Sequence, residues 1–205
     1  MNLFPIFLKL TGRDVVVVGG GAIAESKLQG LLQAGAHLRL VAPKVLPGIA
    51  QIIAERRISW REGTFAPADL DGAFLVVAAT DSQEVNASVF RAAEERGVLC
   101  NAVDDPQHCH FYYPAVVRRG KLQIAISTAG LSPALAQRLR KQLEGEFGPE
   151  YAPWLDWLGV VRSRLSAREM DPDKRRRALH RLASQSSFEG FANRKLGRAV
   201  QGGRA

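Results

Sequence analysis

The pattern with the clearest chemical meaning is a glycine-rich turn near the amino terminus. Residues 19–24 read GGGAIA and fit G-x-G-x-x-G/A, the pattern that binds the pyrophosphate of a dinucleotide. Gly19 allows a tight turn out of a strand, Gly21 lets the backbone approach a phosphate, and Ala24 lets a helix pack closely on the sheet. A four-valine run precedes the turn and an amphipathic stretch follows it, as this pattern requires. We therefore predict a dinucleotide site here.

The second strand lacks the acidic residue that an NAD site usually has at its carboxyl end. The sequence there reads Val41, Ala42, Pro43, Lys44, with no Asp or Glu to bind the ribose hydroxyls. We expect backbone groups around Ala42 and Pro43 to contact the adenosine instead. Because Lys44 favours a 2′-phosphate, charge alone leaves NADP open beside NAD.

Polar residues follow two further strands at their carboxyl ends. Thr80 follows the fourth strand, and Asn101 and Asp104 follow the fifth. Ligands of such sheets lie outside the carboxyl ends of the strands, so we expect these residues to share one crevice with the glycine turn. A carboxylate beside the nicotinamide is well placed for proton transfer, which makes Asp104 the candidate catalytic residue. Composition alone favours a plain turn at Asp104 and Asp105, ahead of Pro106.

The elements that position these residues are typical of parallel βαβ units. Short β-branched runs alternate with helical stretches over the first two-thirds of the chain. Strands are predicted at residues 15–18, 37–41, 59–63, 74–79 and 98–103, with helical crossovers between them, one ending at Gly35 and one spanning residues 84–96. Uninterrupted apolar strands indicate a sheet with helices on both faces. The predicted fold class is therefore α/β, with a Rossmann-type parallel sheet.

The alternation ends after the fifth strand. Residues 111–117 and 122–127 predict an antiparallel hairpin, and a helix begins with Ser132 as N-cap and Pro133 at its first position. From Tyr151 onward the pattern is helical only. We divide the chain into a Rossmann-type domain (1–112), a small α+β hairpin-plus-helix segment (113–149) and a helical carboxyl-terminal region with a basic tail (150–205).

Composition excludes several classes of protein. Hydrophobic residues make up 46% of the chain, which is enough for a core and excludes a wholly disordered protein. No apolar run approaches the roughly 20 residues of a membrane helix, and the start of the chain has no features of a secretory signal. Two cysteines predict reduced thiols and a cytoplasmic location. The net charge is +8, but residues 1–165 hold 18 basic against 16 acidic residues, so most of the basicity lies in the tail.

Two other clusters suggest ligands only at first sight. His108, Cys109 and His110 are metal-ligand types, but no second Cys/His cluster completes a four-ligand site, so we predict no stable metal site. A transient role of the triplet in handing over Fe²⁺ stays open. The basic tail lacks interleaved aromatic residues and any reader motif, so we expect a solvated helix face. We predict neither a nucleic-acid partner nor a membrane partner.

Six motifs occur in a fixed order along the chain: L-F-P-I-F at 3–7, V-V-G-G-G-x-I-A-x-x-K at 17–27, A-A-T-D at 78–81 with Asn86, N-x-V-D-x-P at 101–106, F-x-x-P-A at 111–115 and I-S-T-x-G-x-S-P-A-L-A at 126–136. In this combination the chain resembles the precorrin-2 dehydrogenase/sirohydrochlorin ferrochelatase family, which includes the amino-terminal part of bifunctional siroheme synthases. The resemblance covers about residues 1–165 and is far more specific than any single motif. One departure is Ala129, where the family frequently has glycine.

The resemblance implies NAD-dependent oxidation of precorrin-2 to sirohydrochlorin and, in some members, insertion of Fe²⁺ to give siroheme. It implies that Asp104 is the key carboxylate. The expected cofactor-binding residues are Gly19, Gly21, Ala22, Ile23, Ala24, Pro43, Lys44 and Thr80. The expected substrate-binding residues are Asn101, Ser127, Thr128 and Ser132.

The resemblance also implies partners. The tetrapyrrole substrate carries eight carboxylates, so a basic rim would attract it. The candidates for that rim are Arg118, Arg119, Lys121, Arg138, Arg140 and Lys141. A homodimer is implied, with the hairpin and the helix after Pro133 as its interface. The alternative function is a regulatory domain that senses NAD without turnover, although such a sensor has no evident need for the segment from Ser127 to Pro133.

Overall fold

The computed structural model describes residues 3–55 and 57–202. The polypeptide forms two compact units, Met1–Tyr113 and Pro114–Ala205. The three-part division of the chain stays a prediction. Of the helices that the structure describes, none has the length and apolar content to cross a bilayer.

The first unit is built on a five-stranded parallel sheet. Its strands are β1 (Asp14–Val18), β2 (His37–Ala42), β3 (Ser59–Glu62), β4 (Leu75–Ala78) and β5 (Leu99–Ala102). Their order in the sheet is β3-β2-β1-β4-β5, and every neighbouring pair is parallel. The order reverses between β1 and β4, so the crevice at the carboxyl ends of these two strands is the expected ligand site. The predicted Rossmann-type α/β fold is confirmed.

Helices cover both faces of the sheet because successive side chains of a strand point to opposite faces. The helices are α1 (Ala22–Gln33), α2 (Pro47–Ala54) and α3 (Gln83–Arg96). Val15 and Val17 pack in one apolar cluster with α1 and α2, whereas Val16 and Val18 pack in a second cluster with α3. All four valines are buried. Gly97 follows the predicted end of this helix at residue 96 and ends α3 in the left-handed conformation.

One predicted crossover differs in the structure. No α-helix connects β3 to β4; a single 3₁₀ turn at Pro67–Leu70 does so. The connection is short and contains a proline and Gly72, which disfavour a longer helix. Leu70 is nevertheless buried and packs in the same apolar cluster as α3, so the turn helps to cover that face of the sheet.

The second unit begins with a hairpin and continues with helices only. The hairpin pairs β6 (Ala115–Arg119) with β7 (Leu122–Ile126) in antiparallel register, and the helices are α4 (Pro133–Glu146), α5 (Tyr151–Ser166), α6 (Pro172–Leu182) and α7 (Gln185–Gly202). Ser132 caps α4 through its hydroxyl, which accepts from the amide of Leu135. The hairpin starts later than the predicted residue 111. Phe111 belongs to the first unit, where its carbonyl accepts from the side chain of Asn101, and Pro114 has no amide hydrogen for a strand pair.

Candidate functional site

The glycine turn lies between the carboxyl ends of β2 and β4. The amide of Gly19 donates to the carbonyl of Val41 at 2.9 Å. A Cβ on Gly19 would overlap the carbonyl oxygen of Ala79 and lie 2.7 Å from its carbon, and the φ of +122° at Gly19 disfavours any side chain. On the other side, a Cβ on Gly20 would overlap the carbonyl oxygen of Lys44. The turn therefore brings three strand ends together by backbone contact.

Gly21 differs from the two glycines before it, because its α-carbon faces open space. No atom lies within 4 Å of the position that a Cβ would take there. Glu25 is the first residue of α1 whose amide bonds back, at 3.0 Å to the carbonyl of Gly21. The amides of residues 22–24 therefore have no helical acceptor, and no side chain caps the helix. Exposed Ala22 and Ile23 stand at this open end.

The open end of α1 fits the pyrophosphate of NAD(P). Unpaired amides and the positive end of the helix dipole attract an anion, and the space before Gly21 admits one. Ala24, by contrast, is fully buried against the sheet, so only its backbone faces the turn. Pro43 and Lys44 are exposed at the end of β2, as an adenosine contact requires. The positions of these residues are compatible with the predicted cofactor contacts, which stay predictions.

Thr80 belongs to a hydrogen-bonded knot at the end of β4. Its hydroxyl donates to the Oδ1 of Asn86 at 2.8 Å, and the side-chain amide of Asn86 donates to the carbonyl of Thr80 at 3.1 Å. Asn86 is buried, and Ser82 caps α3 by accepting from Val85. The knot fixes the strand end that contacts Gly19. The hydroxyl of Thr80 is thus already engaged, and its contact with a cofactor stays a prediction.

Asp104 is an exposed carboxylate beyond the end of β5. Its backbone has a φ of +60°, which residues other than glycine adopt rarely and Asp tolerates better than most. The amide of Val103 donates to the carbonyl of Ala78, and the amide of Asp105 donates to that of Ala102, so the residues on either side are fixed. Within the described part of the chain, the carboxylate of Asp104 makes no hydrogen bond or ion pair. It is free to act on a ligand.

A clasp formed by residues 100–111 holds Asp104 in place. The side-chain amide of buried Asn101 donates to the carbonyl of Phe111 at 2.8 Å and to the thiol of Cys109 at 3.3 Å. The thiol of Cys109 in turn lies 3.1 Å from the carbonyl of Ala102. The side chain of Asn101 therefore joins the beginning of this segment to its end. Both of its amide hydrogens are used in this way, which does not favour the predicted substrate contact of Asn101.

The two histidines of the clasp also have structural partners. The Nδ1 of His108 lies 2.6 Å from the carboxylate of Asp105. The Nδ1 of His110 accepts from the backbone amide of Cys100, so the hydrogen of this ring is on Nε2, which lies 2.5 Å from Glu94. Both rings pack against Phe90. Among the described residues no group of three or more His, Cys, Asp or Glu side chains could hold a metal ion.

Neither thiol is activated for chemistry. Both Cys100 and Cys109 are free, and Cys100 is fully buried. Burial raises the pKa of Cys100 to about 12, and it also raises the pKa of Cys109. Because the thiolate is the nucleophile and the metal ligand, these cysteines serve as packing and hydrogen-bonding groups.

Lys27, whose charge interacts with that of Asp104, and Tyr113, which contacts Lys27, were not assigned to the site from the sequence. The ammonium of Lys27 lies 3.7 Å from the centre of the Tyr113 ring. Burial lowers the pKa of Lys27, and the charge of Asp104 raises it in part. Lys27 lies in one of the recognised motifs, which was a signal that could have found it. Nothing local in the sequence indicates Tyr113.

The other predicted substrate residues lie in the second unit, in the turn before α4. The hydroxyl of Thr128 donates to the carbonyl of Ser132 and accepts from its amide, and the hydroxyl of Ser127 accepts from the amide of Ala129. Ala129 has a φ of +51°, which explains why glycine suits this position. Substrate contacts by Ser127, Thr128 and Ser132 stay predictions.

The six cations predicted for a basic rim fall into two groups. Three are engaged: Arg119 donates to the carbonyls of Phe147 and Glu144, Lys121 pairs with Asp156 at 3.0 Å, and Arg140 pairs with Glu144. The other three are exposed and have no ion pair with a described residue: Arg118, Arg138 and Lys141. The second group can attract an anionic ligand without breaking existing bonds.

Comparison with known proteins places these features in context. A family model described as "Putative NAD(P)-binding" matches residues 6–115, and a second, described as "Sirohaem biosynthesis protein central", matches residues 119–146. Siroheme synthase 3 of Aeromonas hydrophila subsp. hydrophila is 42% identical over 182 residues, which make up 89% of this chain and 39% of that protein. The siroheme synthase of Methylobacillus flagellatus is 46% identical over 144 residues, 70% of this chain and 31% of that protein. The chain thus corresponds to a minor part of the length of these relatives.

A solved structure extends the comparison to the whole fold. That of SirC, precorrin-2 dehydrogenase, is similar with a TM-score of 0.78 and 28% sequence identity. The likeness covers 94% of this chain and 98% of that one. It includes the parallel sheet, the hairpin and the carboxyl-terminal helices, so the whole architecture and not only the dinucleotide fold is shared.

Proposed function

Because the chain belongs to the precorrin-2 dehydrogenase and siroheme synthase family, we propose that this NAD(P)-binding oxidoreductase oxidises precorrin-2 to sirohydrochlorin with NAD⁺. The observation that carries the proposal is the pairing, in one unit, of an open helix end at Gly21 with the free carboxylate of Asp104. Both stand at the carboxyl edge of the same parallel sheet. A dinucleotide site without a reactive group would satisfy only the first of these features.

The residues supply binding and proton transfer. Backbone amides of residues 22–24 bind the pyrophosphate, and Pro43 and Lys44 line the adenosine end. When bound, NAD⁺ supplies the acceptor for a hydride. Oxidation of the macrocycle releases one hydride and one proton, and Asp104 accepts the proton directly or through a water. We assign NAD rather than NADP from the family, although Lys44 at the end of β2 is compatible with a 2′-phosphate.

A second step on the same carboxylate is part of the proposal. Insertion of Fe²⁺ requires two pyrrole nitrogens to lose their protons, and a carboxylate with no hydrogen-bond partner, as at Asp104, can accept them one after the other and pass each to water. The ion enters here as a substrate. A homodimer and a cytoplasmic location complete the proposal; the two free cysteines support the latter.

Turnover with a matched pair of variants tests the dehydrogenase. Purified protein is mixed with precorrin-2 and NAD⁺, and NADH formation is followed by absorbance. Asp104→Asn tolerates the positive φ but cannot accept a proton, so we expect at least about a 100-fold loss of kcat with an unchanged Kd for NAD⁺. The control is Asp14→Asn, because Asp14 is an exposed carboxylate at the amino-terminal end of β1, and this variant should retain full activity.

The other outcomes are equally distinct. An Asp104→Asn protein with wild-type kcat would refute the catalytic role of this carboxylate. Wild-type protein that binds NAD⁺ but forms no NADH would favour the regulatory sensor. Fe²⁺ insertion into sirohydrochlorin at the spontaneous rate, with and without protein, would remove the chelatase step.

A further inference from the structure

Lys27 is held in an unusual environment beside the proposed catalytic carboxylate. It lies in the second turn of α1 and is half-buried. Its ammonium sits on the face of the Tyr113 ring, 3.7 Å from the ring centre, where the ring quadrupole attracts a cation. The Tyr113 ring is itself fixed by an edge contact with Phe111 at 5.7 Å. The lysine is therefore positioned by an aromatic group and not by an acid.

The ammonium has lost water without gaining a carboxylate. No ion pair between described residues includes Lys27, and Asp104 acts on it only from beyond ion-pair distance. Burial lowers its pKa, which is the sign of an incompletely compensated charge. Lys121, by comparison, is well exposed and pairs with Asp156 at 3.0 Å. A partly desolvated cation that pairs with no described carboxylate is typical of a group that meets its partner in the ligand.

The neighbouring groups select the kind of partner. The hydroxyl of Tyr113 is neutral near pH 7, as in any tyrosine, and can donate a hydrogen bond. Desolvation raises its pKa further, to about 12, and 41% of the residue stays exposed. Lys27 and Tyr113 both donate, and together they suit a carboxylate. The carboxylates of the substrate would repel Asp104, and a cation beside Asp104 offsets that repulsion.

We propose that Lys27 and Tyr113 form a carboxylate-binding subsite, which receives one acetate or propionate side chain of the tetrapyrrole beside Asp104. The inference rests on the proposed function, because it assigns the anion to the tetrapyrrole. The phosphates of the cofactor have their own donors in the first turn of α1, before Lys27. The subsite orients the macrocycle through a charged side chain of the substrate, so that its reacting edge meets Asp104.

Lys27→Met removes the charge and keeps a side chain of similar length. We expect the KM for precorrin-2 at saturating NAD⁺ to rise about tenfold or more, as for a lost charged hydrogen bond, with kcat changed much less. The Kd for sirohydrochlorin, measured without turnover, should rise by a similar factor, and the Kd for NAD⁺ should stay within about twofold. Lys9→Met, at an exposed lysine of the same unit, is the matched control and should change none of these values.

A second pair of variants tests the ring. Tyr113→Phe keeps the aromatic face that holds the ammonium, whereas Tyr113→Leu removes it. We expect Tyr113→Leu to raise the KM nearly as much as Lys27→Met does, and Tyr113→Phe to raise it less. Melting temperatures of all variants show whether each one is folded.

Each other outcome overturns the subsite in a recognisable way. An unchanged KM together with a lower Tm in Lys27→Met would make the Lys27–Tyr113 contact purely structural. A weaker Kd for NAD⁺ with an unchanged KM for precorrin-2 would assign Lys27 to the cofactor. If wild-type protein forms no NADH, the proposed dehydrogenation fails, whereas the Kd values of wild-type and Lys27→Met protein for sirohydrochlorin still decide the subsite.

Discussion

Substitution of Gly21 by alanine separates cofactor binding from folding at the glycine turn. Gly21 has φ −89° and ψ −173°, an extended conformation that alanine adopts freely, and no atom lies within 4 Å of its future Cβ. The cost in stability is then only the poorer N-cap preference of alanine, at most about 1 kcal/mol. The new methyl group, however, occupies the space through which a pyrophosphate approaches. We expect the Kd for NAD⁺ to rise at least about tenfold, or about 1.4 kcal/mol of binding free energy.

Two nearby glycines provide opposite controls. A Cβ at Gly20 overlaps a carbonyl oxygen of the backbone, and the carbonyl of Gly20 also accepts from the amide of Leu46 at 3.0 Å, so the chain cannot move without losing a bond. Gly20→Ala should therefore destabilise the protein by about 1–3 kcal/mol. Gly30 lies inside α1 with open space around it, and Gly30→Ala should stabilise by about 0.5–1 kcal/mol and leave NAD⁺ binding unchanged.

Thermal melting and isothermal titration calorimetry with NAD⁺ are carried out on wild-type protein and on the three glycine variants, so that folding and cofactor binding are measured separately. The expected result is a low Tm for Gly20→Ala, weak NAD⁺ binding with near-normal Tm for Gly21→Ala, and neither defect for Gly30→Ala. Wild-type affinity in Gly21→Ala would refute the reasoning, because the pyrophosphate would then have to bind elsewhere.

Three further predictions concern stability. Ala129→Gly relieves a φ of +51° and should raise the free energy of unfolding by about 0.5–1 kcal/mol in urea titrations; no gain would mean that the strain is absent. Burial raises the pKa of Cys100 to about 12 in the folded protein, against about 8.5 in the unfolded chain, so the free energy of unfolding falls above about pH 8.5 by up to about 1.4 kcal/mol per pH unit. Cys100→Ala should flatten this decline between about pH 8.5 and 10. An equal slope in wild-type and variant protein would contradict the prediction. His110→Phe leaves the backbone amide of Cys100 without its acceptor and should lower the free energy of unfolding by about 1–3 kcal/mol. Glu94→Gln, which alters only the partner of Nε2, should lower it less. Equal Tm values for the two variants would show that the bond from the amide of Cys100 is unimportant.

The parallel sheet was predictable because its signals are local. The run at Val15 to Val18 is apolar on both faces, and both faces are in fact covered. The glycines at the turn follow a fixed spacing, and their places in the structure agree with it. The missing helix between β3 and β4 was not predictable from the alternation, since the pattern gives the number of strands but not how each connection covers the sheet. That depended on the contact of Leu70 with the cluster around α3.

The surroundings of the candidate site were much less accessible from sequence. A Cβ at Gly20 would overlap the backbone carbonyl of Lys44, and nothing in the sequence around Lys44 predicts this contact. The contact between Lys27 and Tyr113 joins the first helix to the end of the first unit, far apart in the chain. The positive φ of Asp104 depends on how the residues around it are bonded. Such features arise from packing between distant segments, which short motifs do not encode.

The clasp around Asp104 shows why residue type alone assigns roles poorly in this segment. By composition, His108, Cys109 and His110 look like the reactive group, yet each donates to or accepts from a neighbour in the protein. Those bonds hold the chain in a conformation that is unfavourable for a residue other than glycine, and they leave the carboxylate of Asp104 without a hydrogen bond or ion pair to a described residue. The groups best suited to bind a metal thus hold the segment in place, and the proposed substrate contact falls to the carboxylate of Asp104, which precedes them in the chain.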